Sequence, residues 1–412
     1  MENDNKLSIA NRISNLGTET AFAVSSDAAS WSSQGNQVYP FHLGDMNINT
    51  PKNIVESAYR ALKDGKTGYC PAGGIVELRE TLAEVVGKER NISFSAENVS
   101  VQPGGKPCIG KFLTTVMEPG DGVLYPNPGY PIYESQVDFL GGEGCPYTYK
   151  LKNNRFEIDR ESIERYLTQN IRILILNAQH NPTGADSSKE ELSWLANIAR
   201  EYNLWILSDD PYYDIRYAGK SHSILEFDGM QERTVIGYTF SKKYAMTGWR
   251  LGAAIGPKPV IDIITKINTN DESCTSHFIQ YAGIEALKGD QTETVKILSI
   301  LQKRRDLVVD KLNEISGVEV PNSDATFYLF ADVTQVFNRF GLKAQNESDI
   351  QKFRIDTMHK TGVSFCSRSH FGRAFNNESK VFARFAYSGI EIEPAEEGLD
   401  LLKKYWEQEQ II

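Results

Sequence analysis

Apolar residues recur at helical spacing in two early stretches, 52–63 and 75–90, the second through Ile75, Leu78, Leu82 and Val85. From residue 98 the pattern shifts to short apolar runs at 99–101, 122–125, 172–176, 204–207, 234–238 and 251–255. Most are separated by helical stretches such as 190–202, where Leu192, Leu195 and Ile198 share a face. Apolar strands interleaved with helices predict a mainly parallel sheet covered on both sides. After about residue 290 a long amphipathic helix, 293–315, precedes strands at 327–330, 363–365 and 382–385 with helices between, an α+β unit. Upstream, 38–45 reads as a short strand ending in a glycine turn that completes this unit. The first 30 residues or so are polar and Ser-rich around a denser patch at 16–22, either a mobile arm or a segment ordered against a partner subunit. The expected layout is an α/β protein: an arm and part of the small domain over 1–44, a large domain over 45–290, and a C-terminal small domain over 291–412.

Composition narrows the function classes. A chain of 412 residues is long for one core, and a 40% hydrophobic, 24% charged composition is ordinary for a globular protein. A net charge of -10 argues against nucleic acid, which requires a basic face. No run of about 18 apolar residues is present to span a membrane, and the polar start Met1-Glu2-Asn3-Asp4-Asn5-Lys6 lacks the apolar core of a signal peptide. Cys70, Cys108, Cys145, Cys274 and Cys366 form no Cys-x-x-Cys, which points to free thiols in a reducing compartment, the cytoplasm. The six histidines are dispersed without ligand spacing, so no metal site is expected.

Candidate chemistry concentrates where strands end. Thr239-Phe240-Ser241-Lys242-Lys243-Tyr244-Ala245-Met246-Thr247-Gly248-Trp249-Arg250 combines amines with hydroxyls and an arginine. An amine becomes a Schiff-base nucleophile when its pKa is lowered, and arginine and hydroxyls suit a phosphate. Adjacent side chains diverge, so only one of Lys242 and Lys243 can face a site. Gln102-Pro103-Gly104-Gly105-Lys106 joins a strand to a helix through two glycines, whose bare amides can approach an anion. Asn177-Ala178-Gln179-His180-Asn181-Pro182-Thr183-Gly184 and Ser208-Asp209-Asp210-Pro211-Tyr212 follow strands, where open parallel sheets place their sites. Arg384 is one charge among apolar neighbours in 381–387, and an inward arginine would bind a carboxylate with two parallel bonds.

Together, in this order, these motifs closely resemble those of the class I/II aminotransferases, fold type I pyridoxal-phosphate (PLP) enzymes of the aspartate aminotransferase-like group. The resemblance runs from about Thr18 to the last helix. It implies PLP as cofactor and transfer of an amino group from an L-amino acid to a 2-oxo acid, typically 2-oxoglutarate or pyruvate. On the matching positions, Lys242 carries the Schiff base and moves the α-proton, and Thr239 and Arg250 hold the phosphate with help from Ser241. Gly105 and Lys106 add main-chain N–H groups there. Tyr130 stacks on the ring, while Tyr125 and Tyr133 read as packing. Asn181 reaches the phenolic oxygen and also lines the substrate, Asp209 and Tyr212 serve the pyridine side, Arg384 takes the α-carboxylate, and Gly44 lies beside the substrate. Tyr69 matches the residue that crosses a dimer interface to the neighbour's phosphate, which implies a homodimer with shared sites. Lys243 is read as solvated, and His180 as touching the ring or filling space. One segment departs: Ser367-Arg368-Ser369-His370 stands where the family has Pro-Gly-Ser, so Arg368 and His370 either read a substrate side chain or face water. That departure keeps elimination, cyclisation or oxidation of a specialised amino acid as the alternative. A ligand sensor fused to a DNA-binding module is disfavoured, because no basic helix-turn-helix precedes the domain.

Overall fold

The computed structural model describes residues 8–167, 170–375 and 378–408. Its central sheet has seven strands: β1 (Val99–Gln102), β2 (Gly122–Pro126), β3 (Glu143–Tyr147), β4 (Ile171–Leu176), β5 (Trp205–Asp209), β6 (Thr234–Thr239) and β7 (Gly252–Ile255). They lie in the order β1-β7-β6-β5-β4-β2-β3, parallel except that β7 runs antiparallel to both neighbours. Successive residues alternate between two cores, as a pleated strand requires. Leu174 and Ile206 pack with Leu78 and Leu82 on one face; Ile173 and Leu207 pack with Phe112 and Leu113 on the other. Burial on both faces is why these strands read as continuous apolar runs. The edge strand β3 escapes that signal, because its Glu143 and Gly144 are exposed.

The C-terminal unit has a three-stranded antiparallel sheet, β8 (Tyr328–Asp332), β9 (Cys366–Ser367) and β10 (Phe382–Ala386), in the order β8-β10-β9. The helix Thr292–Asn313 ends two residues before the apolar run does, although Ile315 is still buried. Leu301, Val308, Phe353, Phe385 and Trp406 form this unit's core, which also takes in Tyr39 and Phe41. The predicted strand at 363–365 is short, Val363–Ser364, and pairs in parallel with Tyr39–Pro40.

The arm docks on its own chain. The helix Ala21–Ser33 buries Ala21, Val24 and Ala28, Asp27 pairs with Arg354 at 2.6 Å, and Trp31 stacks on His359 at 4.2 Å. Both partners belong to the C-terminal unit, so this helix of the arm is ordered on its own chain. All five cysteines are free thiols. Among the described residues no helix is long and apolar enough to cross a membrane.

Candidate active site

The carboxyl ends of β4, β5 and β6 meet the C-terminal unit at a cavity of about 500 Å³. Gly44, Gly105, Lys106, Tyr130, Asn181, Asp209, Tyr212, Thr239, Lys242, Arg250 and Arg384 all line it. Residues from seven separate segments thus converge at the place the strand topology favours. Tyr69 does not: it is 89% exposed and lies outside its own chain's cavity.

Lys242 sits in the turn after β6 and donates to the Gly44 carbonyl at 2.7 Å. Its pKa is pulled down to about 8, chiefly by burial, with Asp45 and Glu19 opposing and the Arg384 and Arg250 charges adding to the drop. Gly44 is required by packing, since a Cβ there would lie 2.0 Å from the Tyr328 hydroxyl. Lys243 turns to the opposite side and pairs with Asp214 at 3.1 Å and Glu89 at 3.3 Å. Burial alone would lower its pKa, but Asp214, Tyr244 and Glu89 outweigh that and hold it above its ordinary range. Lys243 is therefore ion-paired, not solvated as expected, because the turn directs it onto an acidic pair.

Next to Lys242 is a cradle for an anion. Gly104 has φ +100°, and a Cβ on it would lie 2.0 Å from Arg250 Nη2, so both backbone and space demand glycine. Gly105 then caps the helix Lys106–Val116, whose first N–H groups have no intrahelical acceptor. Thr239 Oγ1 donates to Ser241 Oγ at 2.9 Å, and Arg250 is fixed by a 2.8 Å bond to the Thr247 carbonyl. Backbone amides, two hydroxyls and a guanidinium together suit a phosphate.

Asp209 ends β5, fully buried. Burial pushes its carboxyl up to about 7, against a hydrogen bond from Tyr133 that pulls it down and the Asp210 charge that pushes it up. That bond, Tyr133 Oη to Asp209 Oδ2 at 2.6 Å, corrects the reading of Tyr133 as packing. Tyr125, by contrast, donates to Glu134 at 3.2 Å, outside the cavity lining. Asn177 also escaped the sequence reading; its Nδ2 donates to the Asp209 carbonyl at 2.7 Å while its Oδ1 accepts from Asn181 N at 2.9 Å. Tyr212 and Tyr328 share a 2.8 Å hydroxyl contact, and Tyr328 is a further lining residue with no sequence signal of its own. Asp210 points away from the cavity, to Arg90 at 2.8 Å.

Arg384 projects from β10 between the rings of Tyr328 and Phe371, 4.5 and 4.6 Å from their centroids. It donates to Asn181 Oδ1 at 3.1 Å and to the His42 carbonyl, and its buried Nε has no partner. The unusual loop divides. Arg368 is buried and tied to Glu378 at 2.6 Å and Asn127 at 2.8 Å, so it neither faces water nor lines the cavity. His370 does line it, with burial pulling its pKa down to about 4 and Nδ1 on Ser367 Oγ at 2.9 Å. His180 fills space, stacked on Tyr149 at 4.2 Å and bonded to Thr183 at 2.7 Å.

The family model for aminotransferase class I and II matches residues 37–370. The chain belongs to this family. Among curated relatives it is 32% identical over 375 residues to a probable aspartate aminotransferase of Methanocaldococcus jannaschii, covering 89% of this chain and 92% of the other. With the aspartate aminotransferase of Bacillus subtilis it shares 29% over 404 residues, 98% and 100% of the two chains. Of solved structures, aspartate aminotransferase from Thermus thermophilus with maleate superposes with TM-score 0.86 at 27% identity, covering 97% and 100%. An aromatic aminotransferase from Pyrococcus horikoshii gives 0.84 at 28%, covering 93% and 100%. The protein is accordingly a PLP-dependent aminotransferase of fold type I, acting on amino and 2-oxo acids. Its residues fit that cofactor: an anion cradle, a buried amine and a buried carboxyl group open into one cavity.

Proposed function

We propose that Lys242 is the reacting amine of this aminotransferase and that Arg384 holds the α-carboxylate of its amino-acid and 2-oxo-acid substrates. The observation that carries the reading is the state of Lys242. It is a buried ammonium bonded to a carbonyl rather than a carboxylate, with its pKa down to about 8, between an anion cradle and an arginine with a spare donor. A lysine in that state releases its proton readily and serves as nucleophile and general base.

When bound, PLP supplies an aldehyde that takes up amines and a ring that withdraws electrons from the substrate α-carbon. Gly105, Lys106, Thr239, Ser241 and Arg250 would hold its phosphate, Tyr130 would cover a ring face, Asn181 would meet its phenolic oxygen, and Tyr212 would serve the pyridine side with Asp209. Asp209 would face the ring nitrogen, with Tyr133 and Asn177 fixing its position. Lys242 Nζ would take the proton from the substrate Cα as general base. Arg384, whose buried Nε has no partner, would set the substrate's orientation through its guanidinium, and Gly44 leaves room beside it.

The same reading takes 45–290 as the cofactor-binding unit and 291–412, joined by 1–44, as the unit that brings Arg384. It makes the active species a homodimer with Tyr69 reaching the partner's cavity. Its exposed ring supports such a contact, and the exposed Val55, Tyr59 and Leu62 of the helix Lys52–Lys63 supply further apolar surface. Free thiols at all five cysteines support a cytoplasmic setting. Borohydride reduction of the holoenzyme followed by peptide mapping tests the central assignment. The cofactor adduct is expected on Lys242, and an adduct on Lys243 would reverse it.

A further inference from the structure

Four cationic side chains line the cavity: Lys106, Lys242, Arg250 and Arg384. In the reading above, three of them have work to do on the cofactor or the α-carboxylate, and Lys106 contributes its backbone. Its ammonium is left as the natural partner for a second carboxylate on a substrate. That place is already taken. Glu19 Oε2 lies 3.0 Å from Lys106 Nζ and accepts from Tyr130 Oη at 3.1 Å. Glu19 belongs to the arm, directly before the helix Ala21–Ser33, and it too lines the cavity.

Its position is set by the backbone rather than by the pair alone. Thr20 Oγ1 donates to the His370 carbonyl at 3.4 Å, Ala21 is buried, and Asp27 and Trp31 anchor the helix behind it. The Glu19 side chain is 21% exposed against 46% for Lys106, so the carboxylate is the more enclosed of the two. The lining also includes the apolar side chains of Phe22, Ile109 and Phe371. His370 is held neutral by burial and offers no compensating charge.

We infer that Glu19 is a specificity-determining residue: by occupying Lys106 it selects donors with uncharged side chains and monocarboxylic 2-oxo acids over dicarboxylic ones. A second carboxylate would meet a neutralised lysine and a fixed like charge, whereas an apolar side chain meets rings. Discrimination by a built-in repulsive group is an economical way to separate two acids that share the same α-carboxylate contact. The inference rests on Arg384 binding that α-carboxylate.

The test uses the holoenzyme and its Glu19→Gln and Glu19→Asp variants. Calorimetry gives Kd for glutarate and for valerate, and steady-state assays give kcat/KM for L-glutamate and L-aspartate against L-leucine and L-phenylalanine. Glu19→Gln is expected to raise the dicarboxylate-to-monocarboxylate ratio about tenfold in both readouts, chiefly through KM. Glu19→Asp should move it less, and Lys106→Met added to Glu19→Gln should abolish the gain. A ratio unchanged in Glu19→Gln, or a gain that survives Lys106→Met, overturns the inference. Arg384→Gln separates the premise: it should weaken valerate and glutarate alike, and valerate binding unaffected by it would sink the Arg384 assignment instead.

Discussion

Two pairs of adjacent residues, Lys242–Lys243 and Asp209–Asp210, send one member each to the cavity and one to the opposite side of the same strand ends. Behind the cavity the charges are matched: Lys243 with Asp214 and Glu89, Glu89 with Arg90 at 3.4 Å, Arg90 with Asp210 at 2.8 Å. Ser208 Oγ donates to Asp210 at 2.6 Å, and Arg90 lies 3.8 Å over the Tyr213 ring. In the cavity, Lys242 and Asp209 are just as buried but meet only neutral partners, a carbonyl and a phenol. The consequence is opposite. Lys243 is held above its ordinary range, whereas Lys242 falls to about 8 and Asp209 rises to about 7. Sequence neighbours of the same chemical type are thus divided into a set with ion-pair partners and a set with neutral partners and shifted pKa values, the set that the proposed function makes reactive.

The largest expected break in this contrast comes from the lysines. Lys242→Ala should lower kcat by at least about 10³-fold, the upper range for a positioned acid–base group, and remove the visible absorption of the covalently held cofactor. Lys243→Ala should keep that absorption. Its cost is expected in stability, about 1 kcal/mol, because the pair it leaves is partly exposed. Spectra and denaturant titrations of both variants check this, and equal loss of absorption in the two would erase the distinction.

The aspartates should separate in stability and in sign. Asp210→Asn leaves the Arg90 guanidinium buried without its carboxylate, which costs about 3 kcal/mol. Asp209→Asn should do the reverse in cofactor-free protein. The folded carboxyl holds its proton up to about 7, above the ordinary 3.8, so the native state binds more protons than the unfolded chain between those values. Stability therefore falls as pH rises through that window. Asparagine removes the penalty, so the apo variant should gain on wild type from pH 4 to 8 while losing activity. Denaturant midpoints across pH decide it; a parallel pH course for variant and wild type would refute the burial account.

How much of this was legible depends on whether the relevant contact is local in the chain. Lys242, Asp209, Gly105 and Asn181 stand at strand ends inside short motifs, where the letters fix both the turn and the chemistry. Six strands of the central sheet betray themselves by burial on two faces, and the edge strand β3 does not because its Glu143 and Gly144 are exposed. Tyr133, Tyr328, Asn177 and Glu19 are different. A tyrosine that donates to a carboxylate and one that packs have the same letter, and only the path of the helix Ile132–Phe139 brings Tyr133 to Asp209. Glu19 lies 87 residues from Lys106, and no spacing rule links an arm to a helix start. Arg368 failed for the same reason: its partners Asn127 and Glu378 come from a distant loop and from its own, which makes it a staple rather than a reader of substrate.

The finest division of the two regions is the bond from Tyr133. Among the described residues it is the hydrogen bond that favours the charged form of Asp209 against burial. Tyr133→Phe keeps the ring and its edge-on contact with Tyr130, centroids 5.7 Å apart, and deletes only the hydroxyl. Asp209 should then titrate still higher than about 7, so that less of it is ionised near neutrality. A hydrogen bond to a charged group contributes about 1.5–3 kcal/mol, so PLP affinity should weaken about tenfold at pH 6. Because wild type and variant are both ionised at high pH, the difference should narrow as pH rises past 8. A purely structural role for Tyr133 would give the same loss at every pH. Cofactor Kd measured from pH 6 to 9 distinguishes the two, and a flat difference would return Tyr133 to the packing.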